Sequence, residues 1–152
     1  FLDGDYSDFP EELGSIVAPI LRGQADVVIG SRVLGEWERD ALLPQARFGN
    51  WLATLLIEGF FGMRFTDLGP FRAVTRRALQ RMRMEDRTFG WTVEMQVKAA
   101  LLRIRVQEVP VRYRRRIGVS KITGTLSGTL GAGYKILLTI FKHAARPDLL
   151  QQ

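Results

Sequence analysis

Several residue types that define common functional sites are absent or nearly absent from this sequence. There is no cysteine, which excludes a disulfide framework and thiolate metal sites. The single histidine, His143, excludes histidine-rich zinc sites and argues against a Ser-His-Asp triad. No apolar run reaches the roughly 18 residues that a membrane-spanning helix needs. The chain also opens with neither a signal peptide nor an initiator methionine.

The composition is that of a folded globular protein with an excess of positive charge. Apolar residues make up 46% of the 152 residues and charged residues 25%, so we predict one domain or part of one. The net charge is +6, and the basic residues cluster within residues 112–121 and, more loosely, within 72–87. Such patches attract nucleic acid, anionic lipid or phosphorylated small molecules, and composition alone does not choose among them.

The order of predicted elements is that of an α/β fold. The elements are the end of a buried strand at 1–2, a helix over 10–22, a strand over 25–30, a loop over 35–45, a helix over 46–62, a turn over 65–72, helices over 73–83 and 91–102, an edge strand over 104–113, and a helix over 125–143. Pro10 and Gly23 are good start and stop signals for the first helix. The first strand lacks its beginning, so we expect the chain to be part of a larger domain.

Two carboxylates, Asp3 and Asp5, follow this first strand. Residues two apart in an extended backbone point to the same side. The pair therefore forms an oxygen-rich half-site that suits Mg²⁺ or Mn²⁺, completed by water and a diphosphate, and Asp8 is near enough in sequence to contribute. The alternative is an ordinary turn rich in Asp and Gly. The motif alone does not decide between these two interpretations.

Two further candidates follow later elements. Arg32, after the second strand, is expected to face the same crevice and pair with a donor phosphate, although a plain surface arginine fits the pattern too. Asp67, preceded by Thr66 on a tight turn, suits a general base or a group that orients the acceptor. The same aspartate would also suit a helix cap, which the local pattern favours.

The densest charge cluster is the loop at 114–121, whose glycine and cations suit a phosphate group. A solvated basic loop and a nucleic-acid contact are the alternatives. The usual nucleic-acid recognition signatures, such as zinc-finger spacing or an RNP motif, are missing, so we expect no nucleic-acid partner.

The final helix has an apolar stripe that indicates core packing. A basic amphipathic helix of this kind also suits a membrane interface.

Five motifs occur in a characteristic order along the chain. They are Phe-Leu-Asp-Gly-Asp (1–5), Gly-Ser-Arg (30–32), Thr-Asp-Leu-Gly-Pro-Phe-Arg (66–72), Gly-Trp-Thr-Val-Glu-Met (90–95) and Tyr-Arg-Arg-Arg-Ile-Gly-Val-Ser-Lys (113–121). Together they resemble the family 2 glycosyltransferases, most closely the dolichyl- and polyprenyl-phosphate sugar synthases. The resemblance runs from residue 1 to about residue 143. It implies the C-terminal part of a GT-A fold, a mixed sheet flanked by helices, without the N-terminal nucleotide-binding half.

The resemblance also implies an organisation and a set of binding residues. Residues 1–124 correspond to part of the catalytic domain, and residues 125–152 to a C-terminal amphipathic helix and tail at a membrane. Asp3 and Asp5 match the Asp-x-Asp motif that binds Mg²⁺ or Mn²⁺. The residues that match phosphate-binding positions are Arg32, Arg116, Ser120 and Lys121.

For catalysis, the resemblance implies roles for three residues. Asp67 matches the acidic residue near the reacting centre, Arg72 closes the same motif, and Glu94 lies in the helix motif that lines such sites. The sequence departs from related ones at Tyr6 and Asp8, which leaves the donor sugar open.

The implied function is inverting transfer of a sugar from a nucleotide-sugar donor to a polyprenyl or dolichyl phosphate, at the cytoplasmic face of a membrane. A cell-wall or polysaccharide glycosyltransferase with a hydroxyl acceptor is the enzymatic alternative. A basic nucleic-acid-binding module is the non-enzymatic one. Because half of the donor pocket lies outside this chain, we expect these 152 residues to be inactive on their own.

Overall fold

The computed structural model describes residues 1–88, 90–118 and 126–145, and it describes side chains in these ranges except at 126–130. The elements are a 3₁₀ turn at Pro10–Glu12, α1 (Leu13–Leu21), β1 (Val27–Ser31), α2 (Pro44–Phe61), β2 (Arg72–Val74), α3 (Arg76–Met82), α4 (Trp91–Leu101), β3 (Val106–Pro110) and α5 (Leu126–Ala145). The predicted α/β order is confirmed. Ser120 and Lys121 lie outside the described residues.

The described strands form one mixed sheet in the order β2-β1-β3. β1 pairs antiparallel with β2, with Val27 opposite Val74, and parallel with β3, with Val27 opposite Val106. The mixed sheet and the edge position of β3 are thus as predicted. All five residues of β1 are buried because the strand is covered on both faces.

The expectation of a buried strand at residues 1–2 is wrong. Phe1 is 58% exposed and Leu2 is 45% exposed, and neither residue belongs to a strand of the sheet. Phe1 exchanges two backbone hydrogen bonds with Arg72 of β2, at 2.8 and 2.9 Å, and its ring packs against Trp91 with the ring centroids 4.7 Å apart. The segment that carries Asp3 therefore contacts the strand β2 through the backbone of Phe1.

Helix boundaries differ from prediction in two places, both for local reasons. α2 begins at Pro44, inside the predicted loop, because proline is well tolerated in the first turn of a helix. The predicted helix over 73–83 is divided into β2 and α3, and Thr75 between them caps α3 by accepting a hydrogen bond from Ala78.

The main core lies between the sheet and the helices α2, α4 and α5. α4 is its central helix, since residues 93–100 are all buried, and β1 contributes Val27 and Ile29. A smaller core under α1 includes Ile16, Val28 and Phe71.

The helix α5 packs one side into the main core. Ile140 is fully buried there, whereas Tyr134, Leu138 and Phe141 on the same helix are exposed. The stripe predicted to face the core included Tyr134, Leu138 and Phe141, and for these three residues the prediction is wrong, because the buried side of α5 carries Ile140 instead. No helix in the described ranges combines the length and the apolar character needed to cross a bilayer.

We predict that Ile140→Ala lowers the free energy of unfolding by about 2–5 kcal/mol, because it leaves a cavity between α5 and the core. Leu138→Ala on the exposed side of the same helix is the matched control and should change it by about 0.5 kcal/mol or less. Urea unfolding followed by circular dichroism measures both. Equal effects of the two substitutions would show that α5 is not packed into this core.

Candidate active site

The carboxyl end of β1 is where the predicted site residues converge. Two backbone hydrogen bonds hold residues 3–8 beside residues 113–118, from Arg114 to Ser7 at 3.0 Å and from Ile117 to Asp5 at 2.9 Å. The turn at 66–72 lies against the end of β1 through a 2.7 Å bond from the Gly30 nitrogen to the Phe71 oxygen. Three chain segments distant in sequence thus meet at one edge of the sheet.

A buried ion pair between Arg32 and Asp67 joins two of these segments. The Arg32 guanidinium donates to both carboxylate oxygens of Asp67, at 2.8 and 2.7 Å, and the Arg32 backbone nitrogen donates at 2.8 Å. The Asp67 side chain is 1% exposed and that of Arg32 is 14% exposed. Burial lowers the pKa of Arg32, but its bonds to Asp67 outweigh burial and raise that pKa above its ordinary value.

This geometry narrows the role of Asp67. Both of its carboxylate oxygens are bonded to Arg32, so the carboxylate positions the arginine. The helix-cap interpretation is wrong, because Thr75 caps α3, the next helix along the chain.

Three side chains from three elements hold the turn that carries Asp67. Glu108 of β3 accepts hydrogen bonds from the backbone nitrogens of Thr66 and Asp67, at 2.9–3.2 Å. Asn50 of α2 donates to the Thr66 carbonyl and accepts from Leu68, and Gln96 of α4 donates to the Asp67 carbonyl at 2.8 Å. The turn is therefore fixed from three sides.

Sequence reasoning missed these three supporting residues. Glu108 gave the only usable signal, because it is a carboxylate in a mainly apolar strand. It pairs with the fully buried Ile29, and burial raises the pKa of Glu108 above its ordinary value.

The guanidinium of Arg72 lies beneath the turn, fully buried. It donates to the carbonyl oxygens of Leu68 and Gly69 and, at 3.0 Å, to that of Thr92 at the start of α4. Burial lowers the pKa of Arg72 to about 10. Arg72 therefore positions the turn.

The close approach of this turn to β1 requires glycine at position 69. A Cβ atom on Gly69 would lie 2.2 Å from the Gly30 oxygen.

The acidic end of the site contains Asp3, Asp5 and Asp8. Asp5 accepts hydrogen bonds from the backbone and hydroxyl of Ser7, and its other oxygen lies 3.3 Å from the Arg116 guanidinium. Burial, and then the charge of Asp5, raise the pKa of Asp3. The structure thus brings together Asp3, Asp5 and Arg116 as predicted.

Asp3 and Asp5 are the residues that would hold the predicted cation. Among the described residues, no group of three or more His, Cys, Asp or Glu side chains is arranged to hold a metal ion. Burial and, second, the charge of Asp5 raise the pKa of Asp3, and a nearby divalent cation would favour the charged carboxylate. The residues therefore fit a hydrated Mg²⁺ or Mn²⁺, which needs only one or two protein carboxylates.

Two cavities open beside these groups. One of about 310 Å³ is cationic, because its lining contains three arginines and one carboxylate; the charged residues and the one aromatic residue that line it are Arg32, Asp40, Arg115, Arg116 and Tyr113. The other, about 680 Å³, is mostly apolar and meets the first at Leu42. Its lining includes Trp37, Arg47, Phe48, Trp51, Arg64 and Asp67.

Glu94 lies in neither of these cavities. Its buried carboxylate is paired with Lys98 at 2.7 Å and accepts hydrogen bonds from the backbone nitrogens of Glu85 and Asp86. It lines a separate cavity of about 250 Å³ beside His143 of α5. The structure therefore does not bring Glu94 to the edge that holds Asp3 and Arg32.

We predict that Asp67→Asn lowers the free energy of unfolding by about 3–5 kcal/mol, because it leaves the Arg32 charge buried and uncompensated. The matched control is Asp26→Asn, which removes one partner of the exposed Asp26–Arg105 pair and should have little effect. Equilibrium urea unfolding measures both. A wild-type midpoint for Asp67→Asn would contradict the structural role assigned to this pair.

Comparison with known proteins identifies relatives over most of the chain. An undecaprenyl-phosphate mannosyltransferase of Micrococcus luteus is 30% identical over 132 residues, which cover 84% of this chain and 54% of the relative. An uncharacterized glycosyltransferase of Mycobacterium tuberculosis is 32% identical over 133 residues, covering 85% and 58%. A low-salt glycan biosynthesis hexosyltransferase of Haloferax volcanii is 27% identical over 122 residues, covering 79% and 30%.

No family model and no solved structure matches the chain. The chain spans about half the length of the bacterial relatives that it matches. The relatives that align with this chain are glycosyltransferases.

Proposed function

We propose that this chain is part of an inverting glycosyltransferase with a GT-A fold. The enzyme would move a sugar from a nucleotide-sugar donor to a polyprenyl or dolichyl phosphate. This chain would supply the acceptor side of the active site and part of the donor side. The observation that supports this most is the cationic cavity lined by Arg32 and Arg116, where Arg116 lies 3.3 Å from the carboxylate of Asp5. Anionic phosphates and a divalent cation need these two kinds of group side by side.

The donor end of the site relies on Asp3 and Asp5. A Mg²⁺ or Mn²⁺ ion held there would neutralise charge that develops on the departing diphosphate. Arg116 pairs with Asp5 at 3.3 Å, and its side chain is one-third exposed, so this ion pair is weak. Arg116 is therefore free to exchange its carboxylate partner for a phosphate when substrate binds.

The burial and the hydrogen bonds of Asp67 favour a phosphate as the acceptor. A phosphate monoester has a second pKa of about 6 and is largely dianionic at neutral pH, so it attacks the anomeric carbon without a general base. A hydroxyl acceptor needs such a base. The Asp67 carboxylate is buried, and both of its oxygens are bonded to Arg32. A carboxylate bonded in this way is suited to holding the arginine toward a phosphate. It is not suited to accepting a proton from a hydroxyl.

The larger cavity suits the lipid part of such an acceptor. Phe48 and Trp51 of α2 expose more than half of their surfaces along it, and Arg47 and Arg64 supply cations in its lining. Phe60 of α2 contacts Phe141 of α5, with ring centroids 5.6 Å apart, so the exposed apolar surface continues onto α5. Exposed aromatic groups combined with basic ones are the two signals that peripheral membrane binding usually requires.

The relatives support the same substrate class. One of them is named an undecaprenyl-phosphate mannosyltransferase. Another is named a hexosyltransferase of glycan biosynthesis, which keeps a glycan hydroxyl as the second candidate acceptor. The cationic cavity beside Arg32 favours the phosphate, because a neutral sugar acceptor makes no use of that charge.

We predict that the full-length protein transfers sugar to a polyprenyl phosphate with a kcat/KM at least tenfold above that for the matching polyprenol or for simple glycans. Radiolabelled nucleotide-sugars and extraction of the lipid product measure this. Arg116→Ala should reduce transfer to the phosphate, whereas Arg22→Ala on the exposed end of α1 should not. Equal or better transfer to a hydroxyl acceptor would contradict the proposal that the acceptor is a lipid phosphate.

We also predict that Phe48→Ser combined with Trp51→Ser weakens binding to vesicles containing phosphatidylglycerol by about tenfold or more, since each aromatic side chain loses its apolar burial. Leu21→Ser, which changes a highly exposed residue outside both cavities, is the control and should bind like the wild type. Vesicle co-sedimentation measures the partitioning. If the aromatic variant binds as well as the control, this surface is not the membrane contact.

A further inference from the structure

A third cavity, of about 270 Å³, lies between Asp3 and the first residues of α4. We call it the Trp91 pocket, and its lining is Phe1, Leu2, Asp3, Pro70, Trp91 and Thr92. Most of these residues are apolar, and two of them are aromatic. Neither aromatic residue has a role in the reaction proposed above, so the pocket is an unassigned surface beside one of the two carboxylates that would hold the cation.

Two contacts hold the Trp91 ring in the wall of this pocket. The Phe1 ring meets it at an interplanar angle of 61°, with the centroids 4.7 Å apart, and the buried Arg72 guanidinium lies 5.9 Å from its centroid. Aromatic rings interact favourably with both kinds of neighbour. Arg72 also donates to the Gly69 and Thr92 carbonyls, so the ring is positioned by the same arginine that positions the turn. A ring that is already fixed loses little freedom when a ligand binds.

The position of the pocket matches that of a donor sugar. In a nucleotide-sugar, the anomeric carbon is bonded to an oxygen of the terminal phosphate, so the sugar ring lies directly beside the diphosphate. Under the proposed function, a cation at Asp3 and Asp5 neutralises this diphosphate. Asp3 is also part of the wall of the Trp91 pocket. The cavity next to the departing group is therefore lined by Trp91.

The lining of the Trp91 pocket is chemically complementary to a sugar ring. A pyranose presents C–H groups on its two faces and hydroxyl groups around its rim. The C–H groups carry a small positive charge and pack on the negative face of an aromatic ring, which also removes apolar area from water. Asp3 and Thr92 are the polar residues of the lining and suit the hydroxyl groups. The cationic cavity at Arg32 suits a phosphate instead.

We propose that the Trp91 pocket binds the sugar ring of the nucleotide-sugar donor, with one face of the ring packed against the Trp91 side chain. The inference rests on the proposed function, because it takes a nucleotide-sugar as the donor at Asp3. It gives the motif at 90–95 a binding role through Trp91, whereas Glu94 of the same motif lines a separate cavity. The contact contributes to binding of the nucleotide-sugar and not of the nucleoside diphosphate, which has no sugar ring of this kind at its terminal phosphate.

The test compares these two ligands on the full-length protein by isothermal titration calorimetry with Mn²⁺ and without acceptor. The probes are GDP-mannose and UDP-glucose, each with its matching diphosphate, GDP or UDP. Trp91→Leu removes the ring, Trp91→Phe keeps an aromatic face, and Phe1→Ala removes the second aromatic wall at a residue that is 58% exposed. Leu21→Ala, at an exposed apolar residue of α1, is the control. Circular dichroism verifies that each variant is folded.

We expect Trp91→Leu to raise the Kd of the bound nucleotide-sugar about tenfold and Phe1→Ala to raise it about threefold, because apolar and aromatic contact with the sugar is lost. Trp91→Phe should stay within about threefold of the wild type. The Kd of the matching diphosphate should stay within about twofold in every variant, and Leu21→Ala should change neither value.

An equal loss of both ligands in folded Trp91→Leu would show that Trp91 only supports the diphosphate site, and it would overturn the inference. Wild-type affinity of Trp91→Leu for the nucleotide-sugar would overturn it as well. If Trp91→Leu does not fold, Phe1→Ala decides by the same comparison. Failure of the proposed function has a different signature, since the wild type would then bind neither nucleotide-sugar, and the inference would fail with it.

Discussion

The buried ion pair between Arg32 and Asp67 is the interaction on which the rest of the site depends. It joins the end of β1 to the turn before β2, and almost no solvent screens it. An ion pair of this kind persists only if the surrounding groups satisfy the remaining hydrogen bonds. Glu108, Asn50 and Gln96 satisfy the backbone of the turn. Because these side chains come from three different elements, the position of one arginine depends on the packing of the whole domain.

The site combines charges of both signs within a short distance, and the proposed function relies on this combination. The acidic segment at 3–8 lies directly against the basic segment at 113–118, through backbone hydrogen bonds and the Asp5–Arg116 pair. Burial makes the negative charges costly, as the raised pKa values of Asp3 and Asp8 show. A cation at the acidic segment would lower that cost, and a phosphate would instead pair with the cations of the basic segment. The proposed metal and anionic substrate would use this arrangement together.

The sequence predicted regular elements well and side-chain roles less well. Apolar periodicity and the boundary residues Pro10 and Gly23 located the helices and the strand β1, since these signals act within a few residues. The three-residue strand β2 was missed because it is too short for periodicity to show. Arg72 was assigned to catalysis by motif, yet it is fully buried against backbone carbonyls. Motif position indicates that a residue matters, and only its contacts show whether it meets substrate or supports the fold.

The sequence by itself determined the α/β order of elements, the acidic and basic motifs, and the resemblance to glycosyltransferases, because these are properties of local pattern and motif order. Only the tertiary structure decided which charges meet. It paired Arg32 with Asp67, 35 residues away, and placed Glu94 with Lys98 away from the site. It also left one oxygen of Asp8 buried without a partner. The physical reason is that ion pairing and desolvation depend on distances and burial in space, and spacing along a chain fixes neither.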